Sequence, residues 1–362
     1  MDGIMRKKEP LYQRIYSELK KKIISGSYGN GEAFPSERVL KDEFNVSHLT
    51  VRKSLANLVK DGLIERKSGA GTIVTFNGNF HLVGGRLPRT VKFLSIIVEE
   101  ANDFFSKILN VVESECRKQN IVVTFHSHFR DETLMRKQFE RACRIDDDSL
   151  LLLFPVNSAC SWLGNHDARD RTIIVDEYIK SLDAPQIISD DETGMYNVVK
   201  YLSDLGHNVI GHISSESKTT GLNRIKGYRK AVRELGLKDS SSLMENGSFL
   251  VEQSAFAFRK LLRANPDCTA CACANDHAAL GAMEVLRTMN LVPGRDFSVT
   301  GYGNFDISEA LGLTSIDQMV EKIASQIMFL IDEFSLKGSM PHGLFHIPTE
   351  LKIRSSCVKL RV

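Results

Sequence analysis

The sequence has no long apolar run, a single tryptophan and almost no net charge. Its 362 residues are 42% hydrophobic and 25% charged, with 47 Lys and Arg against 45 Asp and Glu. The apolar fraction excludes a disordered chain, and the lack of any run of about 18 apolar residues excludes a membrane span. The length predicts two or three domains.

Three fingerprints of enzymes and nucleotide-binding proteins are also missing. No G-x-G-x-x-G follows a first strand, and neither a G-x-x-x-x-G-K-[ST] loop nor a G-x-S-x-G elbow occurs. The start Met1-Asp2-Gly3 lacks the apolar stretch of a secretory signal. Seven irregularly spaced cysteines suit a reducing compartment, so we expect a cytoplasmic protein.

Two short motifs invite a metal hypothesis. Cys268-Thr-Ala-Cys271-Ala-Cys273 is one, but alternating Cys in a small, apolar run fits a buried strand better, because Cys then acts as a small hydrophobe. His126-Ser-His128 is the other, and no third ligand is recognisable by spacing. We expect no metal and no cofactor.

The near-zero net charge conceals a basic segment. Residues 1–80 carry 14 Lys and Arg against 9 Asp and Glu, a net +5, which leaves −3 for the rest. This asymmetry hints at a polyanionic partner for the N-terminus.

Residues 9–76 read as three helices and a hairpin. An apolar stripe at Leu11, Ile15, Leu19 and Ile23 predicts a first helix that ends at Gly26. Ser36 caps a second helix that runs to about Phe44, and after a turn at 45–46 Ser47 caps a third. The third helix has apolar positions at Val51, Leu55, Leu58 and Val59 and stops at Asp61-Gly62, before strands 63–66 and 72–75 joined through Gly69-Ala70-Gly71.

This order is that of a winged helix-turn-helix. The third helix would present His48, Thr50, Arg52 and Lys53 on or near its outer face for a major groove, and Arg66, Lys67 and Ser68 would lie at the hairpin tip near phosphates or the minor groove. A charged helix face is more often merely solvated. Here the element order, the glycine-turned wing and the basic charge agree, so we expect binding to double-stranded DNA.

The same residues resemble the DNA-binding domain of the GntR family of bacterial transcription regulators. The resemblance rests on Pro10-Leu-Tyr-Gln-Arg-Ile, Phe34-Pro-Ser-Glu-Arg38, Val46-Ser47, Thr50-Val-Arg52, Asp61-Gly-Leu-Ile and Gly69-Ala-Gly-Thr-Ile-Val. It implies that Arg38, Ser47, Thr50, Arg52 and the wing around Gly69 contact an operator. The chain departs from the family at His48 and Leu49, where Arg or a similar polar residue and then Thr are frequent.

Residues 77–90 lack periodicity and are predicted to be a linker. From residue 91 to 362, short apolar runs alternate with helical patterns, which is typical of parallel sheets flanked by helices. Seven strands are predicted at 91–98, 121–126, 149–154, 171–176, 209–213, 269–274 and 297–302, and helices at 105–118, 132–144, 194–205, 223–235, 252–263, 277–289 and 320–336. The length of this region makes two lobes plausible.

Polar and aromatic residues follow several of these strands. Ligands of open α/β sheets bind beyond the carboxyl ends of the strands. The residues found there are Glu99, Asn102, Phe104, Phe105, Asp190, Asp191, Arg224, Asn275, Asp276, Asn304 and Asp306. Carboxylates, an amide, a guanidinium and ring faces suit a polyol. Each carboxylate alone could instead be a helix N-cap, and Asp276 could do only that.

Residues 91–360 resemble the sugar-responsive effector domains of the LacI/GalR family, which are related to periplasmic binding proteins. The motifs are Asp190-Asp-Glu-Thr-Gly194, 205–213, Arg224-Ile-Lys-Gly-Tyr228, Ala274-Asn-Asp276 and Val299-Thr-Gly-Tyr302. The resemblance implies effector contacts from Asp190, Arg224, Asn275 and Asp276, with Phe104 or Phe105 as a wall. The family commonly has Asp after Gly301-Tyr302, where this chain has Gly303 and then Asn304, so that contact is lost or passes to Asn304.

The two resemblances together imply an effector-responsive regulator. The fold class expected is α/β: a winged helix-turn-helix domain at 1–76, the linker, and a two-lobed periplasmic-binding-protein-like domain at 91–362 that binds the effector and dimerises. The combination is similar to arabinose-responsive repressors, so we expect a homodimeric repressor whose operator binding is relieved by a pentose or related monosaccharide. A sugar acting as corepressor is the opposite possibility. The alternatives are a sugar-binding receptor, which would show no specific operator binding, and a sugar-modifying enzyme, which would turn over its ligand.

Overall fold

A computed structural model describes most of the chain. The described residues are 11–24, 28, 31–60, 63–67, 71–75, 91–99, 103–145, 149–158 and 160–360. The chain divides into two compact units, residues 1–89 with 336–338 and residues 90–335 with 339–362. The predicted boundary at 76 and the linker 77–90 lie outside the described residues and stay predictions.

The first unit has three helices followed by a two-stranded antiparallel hairpin. Its elements are α1 (Leu11–Ile24), α2 (Glu37–Phe44), α3 (His48–Lys60), β1 (Ile64–Lys67) and β2 (Gly71–Val74). Ser36 Oγ accepts the Val39 N–H at 3.3 Å, and Ser47 Oγ accepts the Thr50 N–H at 3.2 Å. Asn45 turns the chain with a φ of 50°. The predicted order and caps are confirmed, while the helix stops at Gly26 and Asp61-Gly62 lie outside the described residues.

The core of this unit is where α1 and α3 cross. Ile15, Leu19 and Ile23 are buried against Val51, Leu55 and Leu58 of α3. Two members of the predicted stripes are exposed instead, Leu11 at 49% and Val59 at 39%. Leu11 is the first residue of its helix and Val59 lies in the last turn of its own, where a helix extends past the partner that covers its middle.

The second unit contains two six-stranded sheets, each flanked by helices. One sheet, of the N-lobe, has the strand order β13-β7-β6-β5-β3-β4, and the other, of the C-lobe, has β14-β12-β11-β10-β8-β9. The strands are β3 (Phe93–Val98), β4 (Val122–Ser127), β5 (Leu150–Leu153), β6 (Thr172–Val175), β7 (Pro185–Ser189), β8 (Ile210–Ser214), β9 (Met244–Asn246), β10 (Ala270–Cys273), β11 (Ser298–Tyr302), β12 (Thr314–Asp317), β13 (Gly343–Ile347) and β14 (Glu350–Lys352). The helices are α4 (Asp103–Lys118), α5 (Glu132–Ala142), α6 (Asp191–Asp204), α7 (Thr219–Glu234), α8 (Val251–Ala264), α9 (Asp276–Thr288), α10 (Asp306–Ala310) and α11 (Val320–Lys337).

All seven predicted strands and all seven long helices are present within a few residues. The sequence analysis missed β7, β9, β12, β13 and β14. Of these, β9 and β14 have only three residues and lie at sheet edges. Strands so short carry too little of an alternating pattern to be recognised. The interpretation of Cys271 and Cys273 as buried strand residues is confirmed, since both lie in the core of the C-lobe.

Within the part of the chain that the structure describes, the backbone crosses between the lobes three times. The crossings lie between β7 and α6, between β12 and α11, and between β13 and β14. These segments bond to one another, because the Asp190 N–H donates to Ile347 O at 2.9 Å and Gln318 Nε2 donates to Ser189 Oγ at 3.2 Å. Two lobes that are joined only through adjacent connecting segments can move about those segments as about a hinge. Within the described ranges, no helix is both long and apolar enough to cross a membrane.

Close packing of α7 on α6 requires a glycine at position 227. A Cβ added there would collide with the backbone carbonyl oxygen of Glu192. We expect Gly227→Ala to lower the free energy of unfolding by about 1–3 kcal/mol, because backbone atoms cannot move aside cheaply. Thermal unfolding followed by circular dichroism measures the effect, with Lys226→Ala on the same helix as the control. Equal melting temperatures for the two variants would contradict this packing argument.

Candidate ligand cleft and nucleic-acid interface

The N-terminus of α2 organises the polar face of the first unit. Glu37 Oε2 lies 3.2 Å from His48 Nδ1 and 3.3 Å from Arg52 Nε, and Glu37 Oε1 accepts Arg66 Nη2 at 2.7 Å. One carboxylate therefore gathers side chains from the start of α3 and from β1. The side chains of His48, Arg52 and Arg66 remain 55%, 63% and 49% exposed, so they are held in place and still accessible.

The other predicted DNA contacts occupy the same unit. Arg38 is exposed on the first turn of α2, and Ser47 and Thr50 bond to each other at 2.8 Å where α3 begins. Lys67 ends β1, and Gly69 lies outside the described residues. Leu49, which the sequence analysis noted only as a departure, is 64% exposed on α3. An exposed aliphatic side chain beside exposed polar ones on such a helix suits contact with a thymine methyl group.

In the second unit, a cavity of about 400 Å³ lies between the lobes. That volume falls in the range of small-molecule sites. Its lining residues are Glu99, Phe104, Phe105, Arg130, Val156, Asn157, Asp176, Ser217, Lys218, Thr220, Arg224, Phe249, Leu250, Val251, Asn275, His277, Tyr302, Phe305 and Gln318. Aromatic rings come from both lobes, and charged groups of both signs lie between them.

Arg224 of α7 lies at the floor of the cavity and is 4% exposed. Its Nε and Nη2 each lie 2.9 Å from Asp191 Oδ1, and its Nη1 donates to Ala274 O at 2.6 Å. The guanidinium carbon is 3.8 Å from the centre of the Tyr302 ring. A buried charge needs such partners, and Arg224 thereby ties α7 to α6, β10 and β11 at the cleft.

Asp176 is the carboxylate that faces the cavity with the fewest partners. Its backbone has a φ of 66°, which places it just beyond β6 in the left-handed region. Among the described residues, the cation within 4 Å is Lys218, whose Nζ is 3.8 Å away. Burial raises the pKa of Asp176 to about 7, while Lys218 opposes that rise. When it is ionised, this carboxyl group can accept hydrogen bonds from a ligand hydroxyl. Its charge changes near neutral pH.

Of the predicted effector residues, four line the cavity: Phe104, Phe105, Arg224 and Asn275. The amide of Asn275 is also used within the fold, since its Oδ1 accepts the Ala278 N–H at 2.8 Å and its Nδ2 donates to Phe249 O at 3.2 Å. Asp190, Asp276 and Asn304 lie outside the lining.

Each of those three has bonds within the protein. Asp190 caps α6 through the Thr193 N–H at 3.2 Å. Asp276, fully buried, accepts the Phe305 N–H at 2.7 Å and the Ser315 hydroxyl at 2.5 Å. Asn304 donates to Asp317 Oδ2 at 3.0 Å and accepts from Arg354 Nη2 at 2.6 Å. These side chains hold the hinge and the loop after β11.

The chain has Gly303 where the LacI/GalR family commonly has Asp, and the Phe305 ring occupies the space beside this glycine. Gly303 has a φ of 125°, and an added Cβ would lie 2.6 Å from the Phe305 ring. Phe305 itself lines the cavity and sits 5.4 Å from the His277 ring centre. This wall of the cleft is therefore aromatic and has no room for a side chain at position 303.

Several lining residues were not singled out from the sequence: Arg130, Asn157, Asp176, Lys218, Thr220 and Gln318. Asp176 is the last residue of the predicted strand 171–176 and lies just beyond the observed β6, so it was assigned to the strand and not to the loop after it. Gln318 follows β12, a strand that the sequence analysis did not predict. Arg130 lies in a turn after β4, and no motif marks it. Within the described residues, no group of His, Cys, Asp and Glu could hold a metal ion.

Comparison with known proteins agrees with both units. Residues 11–74 match the family described as bacterial regulatory proteins, gntR family, and residues 199–357 match the periplasmic binding protein-like domain. The protein is a transcription regulator that joins a gntR-type DNA-binding domain to a periplasmic-binding-protein-like ligand domain. The fold class expected from the sequence is confirmed.

Two relatives and one solved structure are similar to this chain over most of its length. The chain is 27% identical over 83% of its length to the arabinose metabolism transcriptional repressor of Halalkalibacterium halodurans, covering 82% of that protein. It is 28% identical over 75% of its length to the transcriptional repressor PurR of Mannheimia succiniciproducens, covering 83% of it. The structure of a transcriptional regulator CelR–cellobiose complex matches with a TM-score of 0.63 and 20% identity, over 86% of this chain and 91% of that one.

Asp276 and Asp190 allow a matched test of structural roles. In Asp276→Asn, an amide N–H₂ replaces an oxygen that accepts from Phe305 or Ser315, so a buried donor loses its partner and stability falls by about 1–3 kcal/mol. Asp190→Asn should be nearly neutral, because Asn caps a helix as well as Asp does. Urea unfolding measures both. An Asp276→Asn protein as stable as Asp190→Asn would show that the buried carboxylate does not hold this loop.

Proposed function

We propose that this protein is a repressor whose operator binding is relieved by a monosaccharide, a pentose or related sugar, held in the cleft between the lobes. The observation that carries the proposal is the cavity lined by Asp176, Arg224 and Asn275 and by rings from both lobes. Carboxylate and amide oxygens accept hydroxyl protons, and ring faces pack on the C–H faces of a sugar.

The charges around the cavity favour an uncharged ligand. Arg224 is paired with Asp191, and Glu99 is paired with both Arg130 and Lys218. Asp176 completes the balance when it is ionised. An anionic sugar would have to compete with carboxylates already bonded to each of these cations, whereas a neutral polyol leaves the pairs intact.

We propose a homodimer in which the second unit pairs with its copy. The strand β4 lies at the edge of the N-lobe sheet, and three apolar side chains on or just beyond it are exposed: Val122 at 53%, Phe125 at 52% and Phe129 at 66%. An exposed apolar edge strand is normally covered, and a two-fold pair would present two heads to two half-sites. Ligand binding and DNA binding then oppose each other reciprocally if they favour different lobe arrangements.

The DNA-binding part is tested at Arg52. We expect Arg52→Ala to weaken binding to duplexes that the wild-type protein selects from a random pool by about 1–3 kcal/mol, because the side chain reaches a base edge. Fluorescence anisotropy measures the affinity. Arg14→Ala removes the same charge from an exposed position of α1 and serves as the control. Equal affinities for the two variants would refute α3 as the recognition helix.

The effector part is tested by pH at Asp176. A panel of neutral monosaccharides is first screened for a rise in melting temperature and for release of the selected duplex. For an active sugar, the affinity should be roughly tenfold higher at pH 8 than at pH 6, because Asp176 with a pKa of about 7 is mostly protonated at pH 6 and cannot then accept as a carboxylate.

Asp176→Asn should bind the sugar more weakly and with an affinity that is the same at both pH values. The other charged groups near Asp176 are Lys218, Asp191, Arg224 and Glu177, and they are unchanged in this variant. A pH dependence that persists in Asp176→Asn would assign the titration elsewhere. If no sugar of the panel stabilises the protein or releases DNA, the proposed effector class is wrong.

A further inference from the structure

Helix α7 begins without a cap of its own. Its N-cap residue is Lys218, which has extended backbone geometry and makes no capping hydrogen bond with its side chain. An ammonium group has no acceptor to offer, so the N–H groups of the first turn need partners from elsewhere. Thr220 and Arg224 of the cavity lining lie on the first turns of this helix.

The cap comes from the other lobe. Glu177 lies two residues beyond β6 of the N-lobe, and both oxygens of its carboxylate face the Thr219 N–H of the C-lobe, at 3.1 and 3.3 Å. Glu177 is 1% exposed. A carboxylate at a helix N-terminus is stabilised by the helix dipole as well as by the hydrogen bond.

The side chain of Lys218 is also received by the N-lobe. Its Nζ donates to Glu99 Oε2 at 2.9 Å and lies 5.5 Å from the centre of the Phe105 ring. The Lys218 and Glu99 side chains are only 13% and 3% exposed. Breaking a buried ion pair leaves a charge without a partner, so this contact resists separation of the lobes.

We propose that Glu177 and Glu99 form an interlobe latch, which docks the N-terminus of α7 on the N-lobe, positions Thr220 and Arg224, and sets the balance between closed and open lobes. Positioning of ligand-binding residues rests on the proposed function, whereas the latch itself does not. The latch is separate from the three crossings of the hinge, so it holds the lobes together at a second place.

Two other contacts between the lobes are of a different kind. Lys107 of α4 pairs with Asp306 at 2.8 Å, but that carboxylate is 91% exposed, and such pairs contribute little. Phe305 packs among core residues of the N-lobe, and this apolar contact has no charge to lose. Removing a carboxylate of the latch therefore tests the latch alone.

Hydrogen exchange of the full-length protein, without sugar or DNA, tests the latch. In Glu177→Ala, the amides of 219–222 should exchange about two- to thirtyfold faster than in wild type, as expected for loss of a helix N-cap. Exchange in β8 and in the last two turns of α7 should not change. Glu177→Gln should lie between the two, because its amide oxygen still accepts but carries no charge.

Glu216→Gln is the matched control, since Glu216 is exposed and lies two residues before Lys218. X-ray scattering of the same proteins should give a larger radius of gyration for Glu177→Ala than for this control. Unchanged exchange at 219–222 in Glu177→Ala would overturn the cap, and faster exchange with unchanged scattering would overturn its role in holding the lobes. Because no ligand is used, failure of the sugar proposal leaves both readouts valid.

Discussion

The buried ion pair of Arg224 and Asp191 is the interaction on which the ligand unit depends. Asp191 is the first residue of α6, directly after the chain crosses from the N-lobe, and Arg224 lies on α7. The guanidinium also bonds to the end of β10 and lies against Tyr302 of β11. Two buried charges persist only when their geometry is good and their remaining hydrogen bonds are made. The pair therefore fixes how α6, α7 and the sheet meet, and it places Arg224 in the lining of the cleft.

Around this pair, the cleft is built by charge neutralisation. Among the described residues, Arg130, Lys218 and Arg224 of the lining each have a carboxylate within ion-pair distance, and the pair of Lys218 with Glu99 runs from one lobe to the other. For side chains as buried as these, an unpaired charge would be costly. The pKa of Asp176 has the same origin: Lys218 at 3.8 Å opposes the effect of burial without offsetting it, and the pKa rises to about 7. A group left with few partners inside a paired site is the one a ligand can satisfy.

The first unit uses the same principle on an exposed surface. Glu37 pairs with His48 and Arg52 of α3 and with Arg66 of β1, and so brings the three side chains together. Such exposed pairs contribute little stability, but they restrict where long side chains point. The result is a basic face that is arranged before any partner arrives.

Much of this protein follows from local pattern. Helix stripes, Ser36 and Ser47 as caps, and the alternation of strands and helices determined the elements, because these signals act over a few residues and need no distant partner. The net charge of +5 in the first 80 residues pointed to a polyanionic partner, and it agreed with the element order, since charge is additive along the chain. Phe104, Phe105, Arg224 and Asn275 lie at the cavity because strand ends meet at one edge of a sheet.

Only the tertiary structure decided how individual side chains are used. Asp276 lies at a strand end and was predicted to contact the ligand. Its two oxygens instead accept hydrogen bonds from the Phe305 N–H and the Ser315 hydroxyl, which are remote in sequence. Lys218 and Glu177 belong to no recognisable sequence motif. They have a role because the fold places the start of α7 in the C-lobe against Glu177 and Glu99 of the N-lobe. The residue type alone does not show whether a carboxylate or an ammonium group binds a ligand or a partner within the protein. Its role depends on which partners the fold has already placed within hydrogen-bonding distance, and that is a property of three-dimensional packing alone.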